Sequence, residues 1–351
     1  MVLLTGFPKL LARRMAEALW PRGPVTLLAQ ERHAEDAAEF ASTLRDARVL
    51  TGDVAAMHLG LSTGEYRELS QECTDIVHVA EWGHVGADKL VLERVNVEGT
   101  RAVIELAQDC RKLRRLTHFS TAFVSGDRVG VVAEDELSSG QAFRNFYEQT
   151  KFEAEILVRR AMGQIPCTVL RPAYVVGDSR TGEIDRFEGP YTVAALLLSR
   201  RFQVPLPLPD DGVAPFNVVP IDFVVDAATI IHDDARAVGR TFHLVDPNPS
   251  SSRRVYERVV EREGKKLPRL SLGYKLTDKL LKLPGIEKLT REQRMAFSTV
   301  NHLSFYSNRN TLELLDGTGI SCPPIESYLD KLIEYAQKAR PKEVSGTAQA
   351  P

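Results

Sequence analysis

The first half of the chain repeats one arrangement: a short apolar or β-branched run, then a longer stretch with helical spacing. The runs are Val2–Thr5, Val25–Ala29, Arg48–Leu50, Ile76–Ala80, Thr117–Thr121 and Cys167–Arg171. Several are mostly apolar rather than alternating, the pattern of strands covered on both faces. Between the first two, Leu10–Trp20 places Leu11, Met15, Ala18 and Leu19 on one helical face. Strand–helix alternation at this spacing specifies βαβ units and hence an α/β fold, a Rossmann-like doubly wound parallel sheet. Such a sheet binds its ligand outside the carboxyl ends of its strands, so chemistry is sought in the loops that follow them.

Residues 1–176 read as the dinucleotide-binding core. After Gly177 the pattern changes to the polar loop GDSRTGEIDRFEGP, an apolar helix candidate at Tyr191–Leu198, and the proline-rich VPLPLPDDGVAP. Residues 177–340 read as a smaller, mostly helical substrate-binding cap. Strands at Phe216–Pro220 and Thr241–Val245 are expected to return to the core, and Asp222 to cap a helix through Ile231. The helical pattern ends at Ile325–Lys338, and the tail 341–351 is expected to be disordered.

A formal charge of −2 gives no reason to expect a nucleic-acid partner. The four cysteines (Cys73, Cys110, Cys167, Cys322) are far apart, which points to reduced thiols in a cytoplasmic protein. The eight histidines show no ligand spacing, so no metal site is expected. No leader pattern precedes Val2, and no apolar run reaches the length of a transmembrane segment. The stretch Tyr274–Leu289 mixes four lysines with leucines at helical spacing. It reads as a solvated cap helix, with peripheral membrane contact as the alternative.

Three stretches carry chemistry. TGFPKLLA, between the first strand and first helix, puts Gly6, Lys9 and Ala12 at the positions of a G-x-x-G-x-x-G phosphate loop. Thr5, Gly6, Phe7, Lys9 and Leu10 would line it. HFSTAFVSG ends the fifth strand with hydroxyls at Ser120, Thr121 and Ser125, which can orient a substrate carbonyl, although strands also carry threonine for packing. NFYEQTKFEAE places Tyr147 and Lys151 one helical turn apart, and a nearby ammonium favours a lowered tyrosine pKa. Nine tyrosines and thirteen lysines make about one third of such a pair by chance, so position after the fifth strand is what lends it weight.

The ordered set TGxxxxxA, GDV at Gly52–Val54, HVA at His78–Ala80, NVEGT at Asn96–Thr100, STAFVSG, Tyr147/Lys151 and LRP at Leu170–Pro172 resembles the extended short-chain dehydrogenases/reductases. STAFVSGD, VVGDSRTGEID and NVVPIDFVVDA resemble its fatty acyl reductase and thioester reductase-like branch. The resemblance covers roughly residues 1–250. It implies Tyr147 as proton donor, Thr121 as carbonyl holder, and Lys151 as the residue that binds the nicotinamide ribose and lowers the tyrosine pKa. It also implies Asp53 and Val54 at the adenine, Ala80 and Pro172 along the cofactor, and Asn96 as a tie between a helix and a neighbouring strand.

Three departures from that branch surround the cofactor loops: Lys9 replaces the middle glycine, Gln30 stands where an arginine is usual, and Glu81 and Trp82 replace small residues. Glu31 and Arg32 point to opposite cofactors. The resemblance selects NADP, with NAD the alternative and Arg32 the candidate phosphate partner. Trp82, His84, Ser125 and Tyr191 are candidates for the substrate side, where rim packing explains Trp82 and His84 equally well. The implied substrate is a small molecule or a CoA or carrier-bound acyl thioester. A hydroxysteroid dehydrogenase or nucleotide-sugar epimerase would use the same residues, and a non-catalytic binding protein with a degenerate loop is the rival from another class.

Overall fold

The computed structural model describes residues 1–84, 86–198, 212–262, 264 and 302–343. The lysine-rich segment Tyr274–Leu289, residues 204–211 of the proline-rich run, and the tail from 344 lie outside the described residues.

The strands in chain order are β1 (Val2–Thr5), β2 (Val25–Ala29), β3 (Arg48–Thr51), β4 (Asp75–His78), β5 (Arg115–Phe119), β6 (Gly130–Val132), β7 (Cys167–Pro172), β8 (Tyr174–Val176), β9 (Val218–Pro220), β10 (Thr241–Leu244) and β11 (Ser304–Tyr306). Seven of them form the main sheet, in the order β10-β7-β5-β4-β1-β2-β3, with every pair parallel. The order reverses between β1 and β4, which opens the ligand crevice there. β1, β2, β4, β5 and β7 are buried along their whole length, polar residues such as Asp75, Arg115 and Arg171 included. The edge strand β3 is the exposed exception.

Helices α1 (Leu10–Leu19), α2 (Ala34–Ser42), α3 (Thr63–Glu72), α4 (Lys89–Leu92), α5 (Gly99–Asp109) and α6 (Phe146–Ala161) belong to the connections between these strands. Ser62 caps α3 in a reciprocal capping box with Glu65. α1 buries Ala12, Met15, Ala16 and Leu19. Two small side chains thus face the sheet in place of Leu11 and Ala18, a rotation of the expected face.

Several strand boundaries differ from the sequence reading, and β4 ends at His78 rather than Ala80. β5 ends at Phe119, so Ser120 and Thr121 lie beyond it, and Thr121 begins a 3-10 turn over Ala122–Ser125. Thr241–Leu244 does join the sheet, beside β7. Val218–Pro220 does not; it pairs with β8 in a separate two-stranded sheet. This short strand ends in a proline, which has no N–H with which to extend a ladder. Asp222 lies inside the first turn of its helix (Ile221–Asp233) and accepts hydrogen bonds from Ser179 N–H and Oγ–H instead of capping the helix.

The chain divides into two compact units. The first comprises Met1–Tyr174, Phe223–Val245 and Tyr306–Ser321, and the second Val175–Asp222, Asp246–Phe305 and Cys322–Pro351. The last helix, Ile325–Glu343, runs three residues into the stretch expected to be a tail.

Candidate active site

Gly6 follows β1 at φ +102°, a backbone region open to glycine, and a Cβ there would lie 2.9 Å from Ala80 N and 3.0 Å from Val79 C. Only glycine lets the loop after β1 press against the exit of β4. Phe7 is buried against Phe40, ring centroids 5.8 Å apart, and the Arg13 guanidinium lies over both rings while forking onto the Asp36 carboxylate. Lys9 is the N-cap of α1. No side chain caps that helix, and its first turn holds no acidic residue. An N-terminus so arranged suits an anion, so the loop fits a dinucleotide's pyrophosphate.

A buried relay supports this loop. Thr100 Oγ1 spends its hydrogen on Asn96 O at 2.6 Å, so at 3.2 Å the His78 Nε2 must be the donor to Thr100. His78 Nδ1 therefore accepts from the Thr5 hydroxyl at 2.8 Å, and Thr5 in turn accepts from Ala80 N–H at 3.2 Å. Burial, with the Lys151 ammonium adding to it, lowers the His78 pKa to about 3, so the ring is neutral.

Past β2, Gln30 is extended and Arg32 lies exposed on the 3-10 turn Glu31–His33. Past β3, Asp53 accepts from Ala55 N–H at 2.9 Å and lies 3.6 Å from the Arg94 guanidinium. Val54 packs against Gly99, where a Cβ would meet it at 3.1 Å.

Tyr147 and Lys151 share a face of α6, and both reach one carboxylate. The Tyr147 hydroxyl donates to Glu81 Oε2 at 3.1 Å, and Lys151 Nζ pairs with the same oxygen at 3.1 Å. Glu81 Oε1 lies 3.5 Å from Lys9 Nζ. Lys151, with 2% exposure, also donates to Phe119 O at 2.6 Å, which anchors it at the end of β5. Burial works against ionisation of Glu81, but the Lys151 and Lys9 ammoniums, with the hydrogen bonds from Lys151 and Tyr147, hold its pKa at about 2. Each attraction is on the order of 4 kcal/mol at ~4 Å and an effective dielectric of ~20, enough for two cations to outweigh desolvation.

The expected lowering of the Tyr147 pKa is reversed. Burial and the Glu81 carboxylate push it well above 10, while a hydrogen bond from Thr121 acts in the opposite direction. Sequence reasoning noted Glu81 only as a departure. Its opposite charge to Lys9, in two neighbouring loops that both break the pattern, was the available signal.

The structure brings Thr121, Tyr147 and Lys151 together at the carboxyl edge of β5. Thr121 Oγ1 also accepts from Phe123 N–H at 3.3 Å and makes a long 3.5 Å contact to Pro172 O. Asn96 ties the turn after α4 to the segment past β4, accepting Trp82 N–H at 2.7 Å, and to α6 by donating to Thr150 Oγ1 at 3.0 Å. His84 and Trp82 are partly buried on that same segment. Ser125 is buried and its hydroxyl is 3.1 Å from that of Tyr306. Tyr191 belongs to the second unit, where its hydroxyl accepts Gly177 N–H at 2.8 Å. No grouping of His, Cys, Asp and Glu among the described residues could hold a metal ion, and no described helix is long and apolar enough to cross a membrane.

The family model described as male sterility protein matches residues 25–228. The fatty acyl-CoA reductase wat of Drosophila melanogaster is 27% identical over 207 residues, 51% of this chain and 40% of that protein. The chain spans 6%, 21% and 40% of the length of three curated relatives it matches. Among solved structures, the terminal R domain from the myxalamid PKS-NRPS biosynthetic pathway superposes with a TM-score of 0.79 at 24% identity, over 96% of this chain and 91% of that one. UDP-glucuronic acid 4-epimerase from Bacillus cereus in complex with NAD gives a TM-score of 0.70 at 16% identity, covering 98% and 99%.

Proposed function

Because the chain belongs to the male sterility protein family, in the acyl and thioester reductase-like branch of the extended short-chain dehydrogenases/reductases, we propose that it uses NADP(H) to reduce an acyl thioester or an aldehyde or ketone carbonyl. The observation that carries this reading is the meeting of Thr121, Tyr147 and Lys151 where β5 ends, beside the point of strand-order reversal. When bound, the dinucleotide supplies hydride to the carbonyl carbon.

The chain's own residues do the rest. Tyr147 donates its phenolic proton to the carbonyl oxygen, and the Thr121 hydroxyl orients that oxygen. Lys151, fixed on Phe119 O, holds a ribose hydroxyl and stabilises the phenolate left behind. With a thioester, one hydride and one proton give an aldehyde and release a thiol; a second round gives the alcohol. Thr5, Gly6, Phe7, Lys9 and Leu10 hold the pyrophosphate at the start of α1. Arg32 receives the 2′-phosphate, Asp53 and Val54 border the adenine, and Ala80 and Pro172 flank the cofactor.

A CoA or carrier-bound acyl group is supported by relatives named as a fatty acyl-CoA reductase and as a terminal R domain of a PKS-NRPS pathway. Calorimetric titration with NADPH and NADH, followed by NADPH consumption with a long-chain acyl-CoA and with the matching aldehyde, tests the reading. Tighter binding of NADPH and consumption with either substrate is expected. A protein that binds neither dinucleotide is not a reductase.

A further inference from the structure

A tyrosine hydroxyl has one hydrogen, and Tyr147 gives it to Glu81 Oε2. While that bond stands, Tyr147 has no proton to offer a substrate carbonyl. The same oxygen holds Lys151, the proposed ribose ligand. The protein as it stands therefore has both groups of the Tyr–Lys pair turned onto one carboxylate.

What keeps Glu81 there is local. Asn96 grips the backbone N–H and O of the adjacent Trp82 at 2.7 and 3.3 Å, so the segment is fixed and the side chain is what can swing. Gly83 leaves room beneath: a Cβ on it would come 3.3 Å from Glu81 Oε1 and 4.0 Å from Lys9 Nζ. On its other oxygen Glu81 pairs with Lys9, which begins α1 at the helix end suited to an anion. A pyrophosphate at that end competes with Glu81 for the Lys9 ammonium.

Resting on the reductase reading above, we propose that Glu81 is a positioning residue that latches Tyr147 and Lys151 in the free protein, and that the cofactor's pyrophosphate opens the latch by drawing Lys9 away from Glu81. Lys9 then contributes little net affinity in the wild type, since it leaves one anion for another. Without Glu81 that competition is removed and more of its charge serves the pyrophosphate. The two residues are therefore thermodynamically coupled through cofactor binding.

The test is a double-mutant cycle read by calorimetry with NADPH: wild type, Glu81→Gln, Lys9→Met and the double variant, with Glu81→Ala as a second removal of the carboxylate. Glu81→Gln and Glu81→Ala should each tighten NADPH binding by about tenfold. Lys9→Met should weaken it less than about threefold in the wild type and more than about tenfold in the Glu81→Gln background. Wild-type binding with unchanged affinity in the Glu81 variants, or with additive Lys9 and Glu81 effects, overturns the latch and leaves the reductase reading standing. Absence of NADPH binding by every one of these proteins overturns both.

Discussion

Arg171 on β7 forks onto Glu155 on α6, with Nη2 donating to Oε1 at 2.7 Å and Nε to Oε2 at 2.9 Å, and both side chains are fully buried. Glu155 also accepts from Ser120 Oγ at 2.6 Å, next to Thr121 in sequence. Glu155 is one turn beyond Lys151 and two beyond Tyr147, so this pair sets where α6 sits against β7 and against the segment past β5 that carries Thr121.

Glu155→Gln should therefore destabilise the protein by about 3–5 kcal/mol, because it leaves the Arg171 charge buried and unneutralised. Burial opposes ionisation of Glu155, yet Arg171, Arg159 and Ser120 hold its pKa at about 2 in the folded state. A depressed carboxyl pKa stabilises above the unfolded value of about 4.5, and the contribution fades as pH falls from there toward 2. Denaturant titrations should show the difference between wild type and variant at pH 7 and a smaller one near pH 3. Equal midpoints at pH 7 would rule the role out.

Tyr147→Phe should lower turnover by about 10²–10⁴-fold, the usual worth of a general acid. It should leave the fold and NADPH binding nearly intact, since it removes a single hydroxyl. Near wild-type turnover in this variant sinks the proton-donor role.

Lys151→Ala should impair NADPH binding and turnover together. It removes the proposed ribose ligand and one of the two ammoniums that neutralise Glu81. Unchanged calorimetric affinity would remove the ribose assignment.

Arg32→Ala should weaken NADPH selectively, because Arg32 stands exposed just past β2 next to Glu31, with uncharged Gln30 before it. The ratio of NADPH to NADH affinity is the measurement, and an equal loss for both contradicts reading of the 2′-phosphate.

His78 should be neutral and protonated on Nε2 throughout pH 5–8, visible by nitrogen NMR as a ring that does not titrate there. With a folded pKa near 3 against about 6.5 unfolded, it stabilises the fold above 6.5 and loses that contribution as pH falls. A His78 midpoint above pH 5 contradicts the relay through Thr5 and Thr100.

The layering of this protein was legible in the chain because it follows from local pattern. Runs such as Val2–Leu4 are apolar throughout, and Val25–Ala29 nearly so, since both sheet faces are covered, and glycine at position 6 announces a backbone angle that few other residues adopt. The Tyr147–Lys151 spacing was legible for the same reason: a helix converts four residues of separation into one shared face.

Contacts between residues distant in sequence were decided only by the tertiary structure. Val218–Pro220 looked like any returning strand, and its pairing with β8 depends on where the chain leaves β7. Lys9 and Glu81 each looked like an isolated departure. They meet because β1 and β4 are sheet neighbours, Thr5 beside His78, so the loops leaving them emerge side by side. The same adjacency brings a carboxylate onto the Tyr147 hydroxyl and raises a pKa that the helix spacing alone said should fall. A charge acts through space over a few ångströms, and which charges come that close is set by the order of strands in the sheet.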